Sequence, residues 1–182
     1  MNSPLTKAID WLGDRISGVP RIHVPGNRCF WWDGDDRYAR ADQIALGRDL
    51  AARRDIHPSS DDAITLHGVK FLGSTLWTDL RLATGSPSHA ARTARLGMRD
   101  YKRIRRPRSR RQKYVRPANT AAMHQAGRTW LDDRLGLPHD GPTVVAMHHA
   151  PRPRSLPTEG FDLAHCYASD LSRLIHDSQP DL

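Results

Sequence analysis

The chain has 182 residues, of which 38% are hydrophobic, and a formal net charge of +8. This length suits one domain, and no apolar run approaches the roughly 18 residues of a membrane-spanning helix. Two widely separated cysteines, Cys29 and Cys166, exclude a disulfide scaffold and a cysteine-type zinc site. No basic segment followed by an apolar one opens the chain, so we expect a cytoplasmic protein without a signal peptide or membrane contact.

Helical periodicity recurs along the chain. Apolar residues three to four positions apart predict amphipathic helices, and Ser3 and Pro4 suit the start of the first one. The predicted helices are 3–17, 41–54, 119–135 and 168–177, with 90–97 a further candidate. The residues expected to face inward in the third helix are Ala122, Ala126, Trp130 and Leu131.

Short apolar runs between these helices predict strands. The runs are 21–24, 63–66, 69–72 and 143–147. His67-Gly68 between the second and third runs is typical of a two-residue hairpin turn. Asp79, in the loop after the hairpin, is expected to order that loop through its side chain. Alternating helices and strands predict an α/β fold.

The positive charge is concentrated in one segment. Residues 92–116 hold 12 Lys and Arg and a single acid, Asp100, so this segment carries +11 and the rest of the chain −3. The stretch 102–116 has little to bury, which predicts an exposed basic insert. Clustered bases bind nucleic-acid phosphates through counterion release, but a basic loop also steers anionic substrates or stays solvated. The candidate polyanion contacts are Lys102, Arg103, Arg105, Arg106, Arg108, Arg110, Arg111 and Lys113.

Polar residues follow two of the predicted strands, at the position where open α/β sheets bind their ligands. Asn27 follows Pro25-Gly26 after the first strand, and His148-His149 follow the strand 143–147. An amide oxygen and an imidazole nitrogen can both coordinate a divalent metal. Such residues are also common in plain turns and in structural histidine pairs.

These motifs resemble those of calcineurin-like metallophosphoesterases, in particular a small bacterial branch of that family. VPGN at 24–27 resembles its Gly-Asn-His motif, and TVVAMHHAP at 143–151 resembles its strand with a lone histidine. GVKFLGSTLWTD at 68–79 and GMRDYKRIR at 97–105 also fit that branch. The resemblance covers residues from about 10 to the end. It implies a partial four-layer α/β/β/α sandwich with mixed sheets, spanning 1–182 as one incomplete domain.

The resemblance also implies a chemistry. The family uses two metal ions, Mn, Fe or Zn, to activate the water that attacks a phosphoester. If the resemblance holds, Asn27 and His148 are metal ligands, and His149 and Gly26 lie directly behind these ligands. Arg28 stands where the family has its catalytic histidine, and an arginine there can contact phosphate but cannot transfer a proton near neutral pH.

Most of the family's ligand motifs have no counterpart in this sequence. No Asp-x-His motif precedes Asn27, and no Gly-His-x-His motif follows His149. Relative to the family, we therefore expect a chain truncated at both ends, with weak or no phosphoesterase activity. The alternatives are a non-catalytic protein that binds nucleic acid or another polyanion through 102–116, and a fragment without function. The substrate, the metal and the oligomeric state stay open.

Overall fold

The computed structural model describes residues 3–32, 39–106, 113–157 and 162–182. It has an α/β fold, as the sequence predicts. The strands are β1 (Arg21–His23), β2 (Ile56–Pro58), β3 (Asp62–Leu66), β4 (Val69–Ser74) and β5 (Thr143–Met147). The α-helices are α1 (Pro4–Arg15), α2 (Arg40–Arg53), α3 (Pro87–Gly97), α4 (Asp100–Arg103), α5 (Pro117–Leu135) and α6 (Ser172–Ser178). None of them is long and apolar enough to cross a lipid bilayer.

The strands form two sheets. β1 and β2 pair in parallel, with Ile22 opposite His57. β4 lies between β3 and β5, antiparallel to β3 and parallel to β5, so the larger sheet is mixed. The predicted hairpin is confirmed, because β3 and β4 meet at His67 and Gly68, both with positive φ. A type I′ turn needs that conformation at both of its central residues.

Among the described residues, three clusters of buried side chains hold the elements together. The largest joins α1, α2 and β2 to the segment around Ile104 and includes Phe30 and Trp77. The second packs α5 and α6 on the mixed sheet through Leu72 and Leu131. The third lies under α3, around Ala94. Burial of these side chains is the main favourable contribution to folding.

The inward face of α5 differs from the prediction. Ala122 and Ala126 are exposed, whereas Leu131 is buried as expected and Trp130 is half-buried. The buried face instead includes Thr120 and His124. Their polar groups are satisfied, since Thr120 contacts the Tyr101 hydroxyl and His124 Nδ1 donates to the Leu76 carbonyl at 3.2 Å. Sequence reasoning assigned small apolar residues to the core and missed polar residues with buried partners.

The last helix begins four residues later than predicted. Residues before it are extended, because Ala168 bridges to Ala150 in parallel and the Ser169 amide donates to the Ala150 carbonyl at 3.1 Å. Pairing with another part of the chain thus replaces the first helical turn.

The prediction of an exposed insert over 102–116 is wrong at three residues of its flanks, whereas Lys102, Lys113 and Arg116 are exposed. Ile104, Arg105 and Val115 are buried, at 0%, 6% and 3% exposure. The Val115 amide donates to the Ile104 carbonyl at 3.0 Å, so the flanks pair with each other. Residues 107–112 lie outside the described residues. The flanks are therefore anchored in the largest core cluster.

Candidate functional site

The two polar clusters of the sequence come together at the junction of the two sheets. The sheets approach closely at Gly73, where a Cβ atom would collide with the side chain of Ser59. Thr75, just after β4, donates its hydroxyl to the Pro25 carbonyl at 2.8 Å and so ties the loop after β1 to the mixed sheet. The His148 amide donates to the Ser74 carbonyl at 3.3 Å. These contacts place Gly26–Arg28 beside His148-His149.

Asn27 and His148 face each other. Asn27 begins a short 3₁₀ helix, Asn27–Phe30, and His148 directly follows β5. His148 Nε2 donates to Asn27 Oδ1 at 3.1 Å, although 121 residues separate them. Gly26 permits this approach, because a Cβ atom there would lie 2.5 Å from His148 Cε1. The structure thus brings the two side chains into contact, and their assignment as metal ligands stays a prediction.

His149 is held rigidly behind His148. It is 6% exposed, its Nδ1 donates to the Thr75 carbonyl at 2.9 Å, and its ring stacks on Trp77. Burial lowers the pKa of His149 to about 4. Burial also lowers the pKa of His148, and the charge of Asp100 opposes that effect. Both imidazoles are therefore neutral at pH 7.

Asp100 belongs to the site but was not among the predicted residues. It is 4% exposed. Asn27 Nδ2 donates to its Oδ1 at 3.0 Å and to its Oδ2 at 2.9 Å, and Trp31 Nε1 donates to Oδ1 at 2.6 Å. The available signal in the sequence was that Asp100 is the lone acid in a run of 12 bases.

Asn27, His148 and His149 line an open cleft of about 600 Å³, and Asp100 lies outside its lining. Arg28 and Arg99 are exposed residues of the cleft lining, and the Arg28 guanidinium lies 5.2 Å from the centre of the Trp31 ring. Arg99 was not predicted either. A guanidinium binds phosphate through paired hydrogen bonds and stays charged at neutral pH. The cleft lining is Gly26, Asn27, Arg28, Cys29, Trp31, Gly97, Met98, Arg99, His148, His149 and Tyr167.

The donor set of the cleft fits a metal ion only in part. Asn27 Oδ1 and His148 Nε2 are separated by 3.1 Å, a spacing that two neighbouring ligands of one cation adopt when each bond is about 2.1 Å. Across 3–32, 39–106, 113–157 and 162–182, however, no group of three or more His, Cys, Asp or Glu side chains could hold a metal. A two-metal centre of the expected kind therefore does not fit the described part of the chain.

The candidate polyanion contacts divide into three groups. Arg105 is buried, with its guanidinium 4.8 Å from the centre of the Tyr114 ring. Arg108, Arg110 and Arg111 lie outside the described residues. The partly or fully exposed ones are Lys102, Arg103, Arg106 and Lys113. Polyanion binding stays a prediction, and Arg105 is poorly placed to contribute to it.

Comparison with models of protein families found no match to this chain, and comparison with curated protein sequences found none. Among solved structures, the chain is similar to the phosphopantetheinyl hydrolase of Mycobacterium tuberculosis, with a TM-score of 0.60 and 18% sequence identity. The alignment covers 90% of this chain, which spans about 60% of the length of that protein. Likeness at this identity establishes the fold alone, so the chain has the α/β fold of a hydrolase of known structure.

Proposed function

We propose that the cleft around Asn27 and His148 binds a phosphoester, and that the chain is a phosphoester hydrolase of the metal-dependent type with little or no turnover by itself. The observation that carries this proposal is the convergence of Asn27, His148 and Arg28 in one cleft. A concave surface with a few convergent polar groups is the usual form of a small-molecule binding site.

The charges of the cleft suit an anionic group. Arg28 and Arg99 carry the positive charge, and both are exposed residues of the lining. His148 and His149 add none at pH 7, because burial lowers the pKa of each. The negative charge of Asp100 is buried beneath Asn27 and Trp31. A phosphoester in the cleft would thus meet the guanidinium groups first.

The same residues argue against efficient hydrolysis. Arg28 cannot donate or accept a proton near neutral pH. Burial raises the pKa of Cys29, so its thiol is not an activated nucleophile. Asn27 and His148 are two neutral donors, and two donors alone should hold Mn²⁺, Fe²⁺ or Zn²⁺ feebly. We therefore expect phosphoester binding to exceed catalysis.

Binding is tested by titrating the chain with phenyl phosphate and following tryptophan fluorescence, since Trp31 lines the cleft. Arg28→Ala should weaken binding about 10-fold or more, which is typical for loss of a hydrogen bond to a charged group. The matched control is Arg92→Ala, on the exposed side of α3, and it should bind as the wild type does. Equal affinity in the wild type and Arg28→Ala would refute the assignment of Arg28.

Catalysis is tested by calorimetry with Mn²⁺ and by hydrolysis of bis(p-nitrophenyl) phosphate in the same sample. We expect weak Mn²⁺ binding and no significant turnover. Turnover that depends on Mn²⁺ and is lost in both Asn27→Ala and His148→Ala would show an active centre that the described residues do not account for. Because the structural neighbour is a phosphopantetheinyl hydrolase, a phosphopantetheine ester is the first natural compound to assay.

A further inference from the structure

Asp100 makes the contacts that decide how Asn27 is presented to the cleft. It is the first residue of α4, and its carboxylate is almost completely buried. Both of its oxygens accept from Asn27 Nδ2, and Oδ1 also accepts from Trp31 Nε1. The same carboxylate thus contacts one residue of the cleft floor and one of its wall.

An amide side chain can present either of two chemically opposite ends. Its oxygen accepts hydrogen bonds and binds cations, whereas its NH₂ group only donates. A carboxylate only accepts, so Asn27 must turn Nδ2 towards Asp100. Oδ1 then points towards His148. We propose that Asp100 is a positioning residue that fixes the amide of Asn27 so that its acceptor oxygen faces His148 Nε2; this inference rests on the proposed function of the same cleft.

This orientation also determines which nitrogen of His148 carries the proton. Asn27 Oδ1 cannot donate, so His148 Nε2 must be protonated for their 3.1 Å hydrogen bond to form. The experiment is run at pH 7.5, above the ordinary imidazole pKa of about 6.5, where a neutral ring carries a proton on one nitrogen only. Nδ1 therefore carries no proton. The tautomer of His148 reports the orientation of Asn27 directly.

Asp100→Asn should reverse this arrangement. Trp31 Nε1 keeps its hydrogen bond to the remaining oxygen, so the new NH₂ group takes the place of Oδ2, which lies 2.9 Å from Asn27 Nδ2. Asn27 Nδ2 would then meet a donor in place of Oδ2 and would share Oδ1, at 3.0 Å, with Trp31 Nε1 as its remaining acceptor. Rotation of the Asn27 amide by half a turn lets its oxygen accept from the new NH₂ group and directs Nδ2 at His148. His148 Nε2 must then accept, and the proton moves to Nδ1.

The experiment is long-range ¹H–¹⁵N correlation NMR on the ¹⁵N-labelled full chain at pH 7.5. We expect His148 to be protonated on Nε2 in the wild type and on Nδ1 in Asp100→Asn. Asp79→Asn is the matched control, because Asp79 accepts from Ser169 Oγ and the Arg81 amide, away from Asn27. In that variant His148 should stay protonated on Nε2. A residue that only anchored α4 would not move this proton.

Two results would overturn the inference. One is a folded Asp100→Asn variant in which His148 stays protonated on Nε2. The other needs no variant: protonation of His148 on Nδ1 in the wild type would mean that Asn27 already presents Nδ2. Phenyl phosphate titration of the same samples separates this inference from the proposed function. A tautomer switch in a chain that does not bind phenyl phosphate would confirm the role of Asp100 and refute the phosphoester site.

Discussion

Acid should destabilise the fold through His149. This side chain is 6% exposed, and burial lowers its pKa from 6.5 to about 4. In the unfolded chain the imidazole is solvated and regains its ordinary pKa. Between pH 6.5 and 4 the unfolded state therefore binds a proton that the folded state does not bind. Since the folded pKa is the lower one, the stabilisation is complete above pH 6.5 and is lost as the pH falls towards 4.

The two pKa values set the size of the effect. At pH 4.5, two units below the pKa of the unfolded chain, protonation of His149 in the unfolded state should lower the free energy of unfolding by about 2.5 kcal/mol. This follows from 1.36 kcal/mol per pKa unit. Burial also lowers the pKa of His23, His124, His148 and His165. These residues act in the same direction, so the contribution of His149 must be taken as a difference between variants.

His149→Asn isolates that contribution, because asparagine keeps a donor for the Thr75 carbonyl and does not titrate. Urea unfolding at pH 7.5 and pH 4.5, followed by tryptophan fluorescence, should show that the variant loses about 2.5 kcal/mol less than the wild type between the two pH values. His67→Asn, at an exposed turn position, is the control and should behave as the wild type does. An equal loss in the wild type and His149→Asn would refute the assignment of a buried, neutral His149.

Two substitutions test the packing around the site. Gly26→Ala would place a Cβ 2.5 Å from the ring of His148. We therefore expect urea unfolding to show a free energy of unfolding lower by about 1–3 kcal/mol, and the NMR signals of His148 to shift. Gly136→Ala is the control and should leave stability nearly unchanged, because its new Cβ would meet nothing closer than 3.5 Å. Leu131→Ala, at 1% exposure, should cost about 2–5 kcal/mol, against less than about 0.5 kcal/mol for Leu137→Ala, at 52% exposure. A costly Gly136→Ala or a neutral Leu131→Ala would contradict the packing described here.

Local patterns predicted the elements whose determinants are local. The hairpin of β3 and β4 follows from His67-Gly68 between two apolar runs, and α1 begins where Ser3 accepts from the Thr6 amide. Asp79 orders its loop as expected, since its Oδ1 accepts from the Arg81 amide at 3.0 Å. The hairpin and the start of α1 depend on residues within a few positions of one another, so the sequence contains their whole signal. Asp79 also accepts from Ser169 Oγ, 90 residues away, and that contact leaves no local pattern.

The sequence could not reveal features that depend on distant partners. β2 is only three residues long and includes Pro58, so its pairing with β1 leaves little pattern to detect. His124 faces inward on α5 because the carbonyl of Leu76 accepts its hydrogen bond. Asp100 is buried because Asn27 and Trp31 supply donors for it. In each case a partner far along the chain allows a pairing or a burial that the neighbouring residues do not predict.

The candidate site illustrates both cases. Asn27 and His148 each follow a strand, where α/β folds bind ligands, and the family resemblance is what assigned both as metal ligands. Asp100 was missed because nothing near it in the sequence explains why an acid interrupts a basic run. Yet Asp100 determines which end of the Asn27 amide meets His148. A buried carboxylate accepts from the amide of Asn27 and the indole of Trp31, and it thereby keeps the Asn27 oxygen directed at His148. The orientation of Asn27 thus depends on an acid 73 residues away along the chain, which no local pattern indicates.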